Sequence, residues 1–273
     1  MSGVLEAILA SKRREAAAID EALARGEVAG EQRRPRGELA LRALGADLHA
    51  PASKLRLIAE NKRKSPSAGV LSTALSPAER AIAYARGGAS MVSVLCDGPF
   101  FDGAWEHVAE ARRALDEAGL EVPVLAKEFV VGEGQLAWAA RHGADAVLVI
   151  VRIVPAADVA PLVRRARALG MEPLVEIATE AELPIALDAG ATLIGVNARD
   201  LDALAMDAGR AARVLAAIPE DRVALYLSGL KDEADVRRVA ATRADGALVG
   251  EALMRLDDPR ALLARLVAAA AAG

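Results

Sequence analysis

The chain is poor in several features that would otherwise decide its class. Its 273 residues include a single cysteine, Cys96, so no intramolecular disulfide can form. Three scattered histidines beside that cysteine give no recognisable metal-ligand spacing, and no structural zinc is expected. Aromatic residues make up only 3% of the chain. No apolar run approaches the ~20 residues that span a bilayer. Net charge is −4, and no Lys/Arg run carries interleaved aromatics, so an extended nucleic-acid surface is not expected either. A soluble, cytoplasmic protein without membrane or nucleic-acid partners is the expectation.

What is abundant is aliphatic. Apolar residues reach 53% with hardly any aromatic share, so the interior must be built from Ala, Val, Leu and Ile, as in helices packed over parallel strands. The basic residues are mostly arginine. Lysine occurs only at Lys12, Lys54, Lys62, Lys64, Lys127 and Lys231.

From about residue 55 short apolar runs alternate with longer Ala/Leu/Arg stretches of helical period, the pattern of repeated βα units. Eight strands are expected, at 55–60, 91–96, 122–127, 146–151, 172–177, 192–197, 223–228 and 245–250. Helices are expected at 77–87, 104–118, 156–169, 179–189 and 231–242, several of them stopped by Gly87, Gly119, Gly170 or Gly190. Eight sequential βα units can close into a barrel or form an open doubly wound sheet. An open sheet usually places a glycine-rich dinucleotide loop after its first strand, and here that position reads ENKRKSPSAG. The expected architecture is therefore α/β, a single (β/α)8 TIM barrel over 1–273. Within it, 1–50 is a helical N-terminal extension, with an Arg-rich stretch at 25–38 and an amphipathic helix at the start. Residues 55–258 form the barrel core and 259–273 a C-terminal helix.

Active sites of such barrels are assembled from the last residues of the strands and the loops after them. Those positions are unusually polar here. Strand one is followed by Glu60, Lys62, Lys64 and Ser65, strand three ends at Lys127, and strand five carries Glu176. Strand six ends at Asn197 with Arg199 after it, and strand seven ends in Ser228-Gly229. Burying a charge costs several kcal/mol unless it is paired or used, so core packing does not explain the set. A solvated rim would explain any one of them. Gly229 and Gly250 end strands seven and eight, where many barrels bind a phosphate through backbone N–H groups, although each glycine alone could be a plain turn residue.

These residues resemble the indole-3-glycerol phosphate synthase family. IAENKRKSPSAG (58–69) is similar to its first-strand signature, LAKEFVV (125–131) to its third-strand lysine motif and EPLVEI (172–177) to its fifth-strand glutamate. GVNARDL (195–201) matches the sixth-strand motif, and LSGL with ALVGEALM (247–254) the two phosphate-binding turns. The resemblance runs from about residue 45 to 258. It implies conversion of 1-(2-carboxyphenylamino)-1-deoxyribulose 5-phosphate to indole-3-glycerol phosphate, carbon dioxide and water, a carboxy-lyase step of tryptophan biosynthesis that uses no cofactor.

By that resemblance Lys127 is the general acid of ring closure, Lys62 contacts the substrate carboxylate, and Glu176 with one of the lysines supplies the base and acid of dehydration. Glu60 and Asn197 orient these groups, and Ser228 supports binding. Arg199, Ser228, Gly229, Gly250 and the backbone of Glu251 are the phosphate candidates, with Lys64 and Ser65 as further substrate contacts. Phe101, Phe129, Leu148 and Ile150 would wall the anthranilate ring, though ordinary barrel packing explains each equally well. The implied partners are a small anionic sugar phosphate and, beyond it, another enzyme of the tryptophan pathway.

Three positions depart from the family pattern. Leu227 stands where an acidic residue usually precedes the Ser-Gly of strand seven, Glu251 where a small hydroxyl residue is usual, and Cys96 where a threonine is usual. The missing acid leaves open a weakened or silent paralogue that binds a related sugar phosphate; a phosphoribosylanthranilate isomerase-like barrel is the other alternative.

Overall fold

The computed structural model describes residues 3–26, 35–45, 55–199 and 205–272. Eight parallel strands close a barrel: β1 Arg56–Asn61, β2 Met91–Leu95, β3 Val124–Lys127, β4 Ala146–Ile150, β5 Glu172–Ile177, β6 Leu193–Asn197, β7 Val223–Leu227 and β8 Gly246–Val249. Strands adjacent in sequence are neighbours, and β8 returns to β1 with Arg56 opposite Gly246 and Ala59 opposite Val249. This is the closed (β/α)8 barrel expected, with strand ends within two residues of the sequence reading.

Period-two alternation sorts the strand residues between two faces. Val92, Val94, Val124, Ala126, Val147, Val149, Val175, Val196 and Val249 point outward into the layer shared with the helices. Ile58, Met91, Leu125, Leu148, Leu174, Leu193, Leu225 and Leu248 fill the inside of the barrel. Valine predominates on the outward face, beside Leu57, Ile194 and Tyr226, and leucine on the inward face, beside Ala146 and Val223, so that longer chains supply most of the filling of the barrel interior.

The expected helices form at Pro77–Arg86, Trp105–Glu117, Ala156–Ala168 and Glu233–Ala240, and 179–189 becomes a 3-10 turn Glu180–Glu182 running into Leu183–Asp188. Further helices lie at Glu133–Arg141, Ala208–Ala217 and Arg260–Ala271. The first begins with a capping box in which Ser76 and Glu79 satisfy each other's backbone N–H. It stops where Gly88, one residue past Gly87, takes φ +93, a left-handed conformation that only glycine adopts without strain.

The N-terminal extension supplies two helices among the described residues, one toward each end of the barrel. The helix α1, Gly3–Ala24, buries the stripe Leu5, Ile8, Leu9, Lys12, Ala16 and Ile19 and packs on Glu133–Arg141. The helix α2, Gly37–Ala43, lies at the N-terminal ends of the strands, where the Gly37 N–H donates to Gly170 O at 2.9 Å and Ala40 joins the interior cluster. Of the Arg-rich stretch 25–38, residues 27–34 lie outside the described residues; Arg36 is seen binding the buried carboxylate of Asp145.

Candidate active site

The alternation that fills the barrel also builds its mouth. On the inner face of β1, Ile58 is followed two residues later by Glu60; on β3, Leu125 by Lys127; on β5, Leu174 by Glu176; on β6, Gly195 by Asn197. The registers bring these ends to a common level: Glu60 lies opposite Ser93, Lys127 opposite Leu95, and Glu176 opposite both Ile150 and Gly195. One step above the last apolar layer, the interior becomes charged.

Lys62 Nζ lies 3.0 Å from Glu60 Oε1. Lys127 Nζ stands between two carboxylates, 3.9 Å from Glu60 Oε2 and 3.9 Å from Glu176 Oε2. Asn197 Nδ2 donates to Glu176 Oε1 at 2.9 Å, and its own Oδ1 accepts the Arg199 backbone N–H at 3.0 Å. Glu176 Oε2 is buried and has no hydrogen-bond partner. Burial by itself would raise the Glu60 carboxyl, but the Lys62 and Lys127 ammonium groups outweigh it and hold Glu60 below the usual carboxylate range. Gly250 gives Glu60 its room, since a Cβ there would sit 2.7 Å from Glu60 Oε1.

These groups line one cavity of about 930 Å³, counted out to its open mouth. Of the residues singled out in the sequence, Glu60, Lys62, Ser65, Phe101, Lys127, Phe129, Leu148, Ile150, Glu176, Asn197, Arg199, Ser228 and Glu251 all face it. Lys64, Gly229 and Gly250 are not on its wall. Lys64 belongs to a small hairpin, Lys64–Ser65 against Gly69–Val70, and its Nζ reaches Pro99 O at 3.5 Å. One side of the cavity is apolar, with the Phe101 and Phe129 rings 5.9 Å apart between centroids.

The sequence reading missed Val4, Leu5 and Ile8 of α1, and Pro66, Ser67, Leu95 and Glu128, which also face the cavity. For α1 the available signal was its apolar stripe, which an added helix must bury somewhere.

The departures at β7 and after β8 have local explanations. Leu227 is 1% exposed, lies opposite Asn197 and belongs to the interior apolar cluster, not to the cavity wall. Its Cδ1 occupies the space above Gly195, where a Cβ would come within 2.5 Å of it, so leucine and glycine fit each other across neighbouring strands. Ser228 follows at φ +80, a left-handed backbone that is uncommon for a residue with a side chain, and lines the cavity wall. The Glu251 carboxylate takes Arg255 Nη2 at 2.7 Å. That bond, with the Lys62 and Arg199 charges adding to it, holds Glu251 below the usual carboxylate range. Residues 200–201 of the GVNARDL motif lie outside the described residues. Among the described residues no group of His, Cys, Asp and Glu is arranged to hold a metal ion.

The family model described as indole-3-glycerol phosphate synthase matches residues 5–266. The chain is 39% identical over 268 residues to the indole-3-glycerol phosphate synthase of Mycolicibacterium vanbaalenii, covering 98% of this chain and 95% of that one. It is 40% identical over 266 residues to that of Mycolicibacterium gilvum, covering 97% and 94%. With indole-3-glycerol phosphate synthase 2 of Streptomyces coelicolor it shares 44% over 226 residues, covering 83% and 85%. Among solved structures, 3-hexulose-6-phosphate synthase from Salmonella typhimurium superposes with a TM-score of 0.62 at 16% identity, over 79% of this chain and 98% of that one. Thiamine phosphate pyrophosphorylase from Pyrococcus furiosus gives 0.60 at 17%, over 80% and 96%. At such identities these two likenesses concern the barrel alone.

Proposed function

The chain belongs to the indole-3-glycerol phosphate synthase family, and on that premise we propose how its barrel mouth turns 1-(2-carboxyphenylamino)-1-deoxyribulose 5-phosphate into indole-3-glycerol phosphate, carbon dioxide and water. The observation that carries the reading is the position of Lys127 Nζ, 3.9 Å from two carboxylates in a cavity that also holds Lys62. A lysine ammonium can give a proton and a glutamate carboxylate can take one, so the pair supplies both halves of acid–base catalysis.

In ring closure the aromatic carbon that bears the carboxylate attacks the sugar ketone, and negative charge builds on the ketone oxygen. Lys127 protonates that oxygen to a hydroxyl. The carboxylate then leaves as carbon dioxide, its bonding electrons restoring the aromatic ring, while Lys62 holds it until the bond breaks. In dehydration the ring nitrogen pushes out the hydroxyl, which leaves as water with a proton from Lys62, and Glu176 takes the proton from the neighbouring carbon. Glu176 can return that proton to the Lys127 amine beside it. One proton from solvent restores Lys62, as the balance requires when an anionic carboxylate departs as neutral carbon dioxide.

Asn197 fixes one oxygen of Glu176, which leaves the unpartnered Oε2 facing Lys127. Glu60 orients both lysines. Arg199, Ser228 and the backbone of Glu251, all on the cavity wall, take the phosphate, with Gly229 and Gly250 shaping the turns beside them and Arg255 neutralising the Glu251 carboxylate at that lip. Ser65 and Lys64 flank the entrance, and Phe101, Phe129, Leu148 and Ile150 receive the anthranilate ring. The whole chain is read as one barrel domain with its N-terminal helices packed on it. No helix of the described residues is long and apolar enough to cross a membrane. The same reading makes the protein a cytoplasmic enzyme, with another tryptophan-pathway enzyme as a candidate partner.

Neither a silent paralogue nor an isomerase is favoured, because the curated relatives matched over nearly the full length carry the synthase name. Purified protein given the carboxyphenylamino-deoxyribulose phosphate should develop the fluorescence of indole-glycerol phosphate. A flat trace with substrate demonstrably bound would overturn the reading.

A further inference from the structure

A second lysine–carboxylate cluster backs the apolar side of the cavity, which it reaches through Glu128, and takes no part in the reaction just described. Lys12 of α1 is fully buried, and its Nζ lies 2.6 Å from Glu15 Oε2, 2.9 Å from Glu128 Oε2 and 3.0 Å from Asp97 Oδ2. Each partner belongs to an element that contributes to the cavity. Asp97 follows β2 and accepts the Phe100 N–H at 2.8 Å through its other oxygen, fixing the turn that presents Phe101. Glu128 follows Lys127 and accepts the Phe129 N–H at 2.7 Å through its other oxygen. Lys12 itself lies four and seven residues after Ile8 and Leu5, on the same face of α1, and both of those side chains reach the cavity.

We propose that Lys12 is a positioning residue for the substrate's aromatic ring, its buried ammonium tying together the three elements that supply the apolar wall: the start of α1, the β2 turn with Phe101 and the β3 turn with Phe129. The proposal rests on the synthase reading for the identity of that ring. Three carboxylates around one ammonium repel one another, and they stay close because the ammonium lies among them. Glu128 reflects that balance. Burial raises its carboxyl to about 7, with Lys12 opposing and Glu15 adding to the rise. Without Lys12, Asp97 and Glu128 would move apart, taking with them the backbone amides of Phe100 and Phe129 and the ring pair next to them. Gln135 secures the other side of the β3 turn, where Nε2 donates to Phe129 O at 3.1 Å, so the turn would shift without unravelling.

The test uses Lys12→Met and the double variant Lys12→Met/Glu128→Gln, in which the excess negative charge is relieved but the tie is not restored. In Lys12→Met, KM for the carboxyphenylamino-deoxyribulose phosphate should rise about tenfold, the scale of one lost ring contact, with kcat much less affected. The double variant should recover thermal stability and keep the raised KM. Amide hydrogen exchange at Phe100 and Phe129 should accelerate in both variants, a readout that needs no turnover. It therefore separates failure of this proposal from failure of the synthase reading. Unchanged exchange at those two amides, or a KM that returns to the wild-type value together with stability in the double variant, would make Lys12 a support of the fold only and overturn the proposal.

Discussion

Lys12 and Lys127 serve two adjacent clusters in opposite ways. Lys127 enters the barrel mouth, while Glu128, its neighbour on the same cavity, gives its carboxylate to Lys12 of α1. The Lys12 side chain is 0% exposed and touches three carboxylates at 2.6–3.0 Å; the Lys127 side chain is 19% exposed and touches two, each at 3.9 Å. The first cluster spends its lysine on short contacts that hold elements together, with hydrogen bonds to Glu15 and Glu128 and an ion contact without a hydrogen bond to Asp97 Oδ2. The second keeps its own in reserve, with Lys127 at distances too long for hydrogen bonds and one Glu176 oxygen unpartnered. A lysine that is to act on a substrate must not already be saturated by its neighbours.

The comparison can be broken most severely at Lys127. Replacing it with alanine should lower kcat by at least ~100-fold, the scale of general acid catalysis. The melting temperature should barely change, since only long contacts are lost; a large drop in melting temperature would put Lys127 in the structural class with Lys12.

Leu227→Glu comes next, and its effect should be on stability. A carboxylate placed over Gly195 in the apolar interior has no partner there, and an uncompensated buried charge costs about 3–5 kcal/mol, read as a shift in the denaturant midpoint. Turnover should not improve. A faster enzyme of unchanged stability would show that an acid at this position reaches the cavity after all.

The smallest effect separates the clusters by pH. Because the Glu128 carboxyl is raised to about 7 from an ordinary 4.5, the folded state holds a proton that the unfolded chain releases, and this contribution to stability is lost as pH rises from about 4.5 through 7. Glu60, held low, works the other way and loses its contribution as pH falls through its lowered value. Glu128→Gln should therefore flatten the fall in melting temperature between pH 5 and 7. An unaltered slope would mean that Glu128 is ionised throughout.

The comparison also marks what the sequence made legible. Charges at the ends of apolar strand runs stand out because period two assigns them a face and a barrel assigns that face a mouth, which is how Glu60, Lys127, Glu176 and Asn197 could be grouped from positions far apart in the chain. Lys12 is one charge among several on an amphipathic helix and reads as solvated. Only its place in the stripe Leu5, Ile8, Leu9, Lys12, Ala16 and Ile19 marks it as buried. Leu227 read as a missing acid because the sequence displays what precedes Ser228 but not that Gly195, on the neighbouring strand, vacates the space a leucine fills. The hairpin at 64–70 was illegible for a simpler reason: two-residue strands carry no period.

The acid role of Lys127 is tested most directly by adding alkylammonium ions to Lys127→Ala. Turnover should return in proportion to ammonium concentration and should rise with the acidity of the ion, as a proton donated in the transition state requires. No return of activity with any small ammonium, or a return indifferent to acidity, would contradict the account.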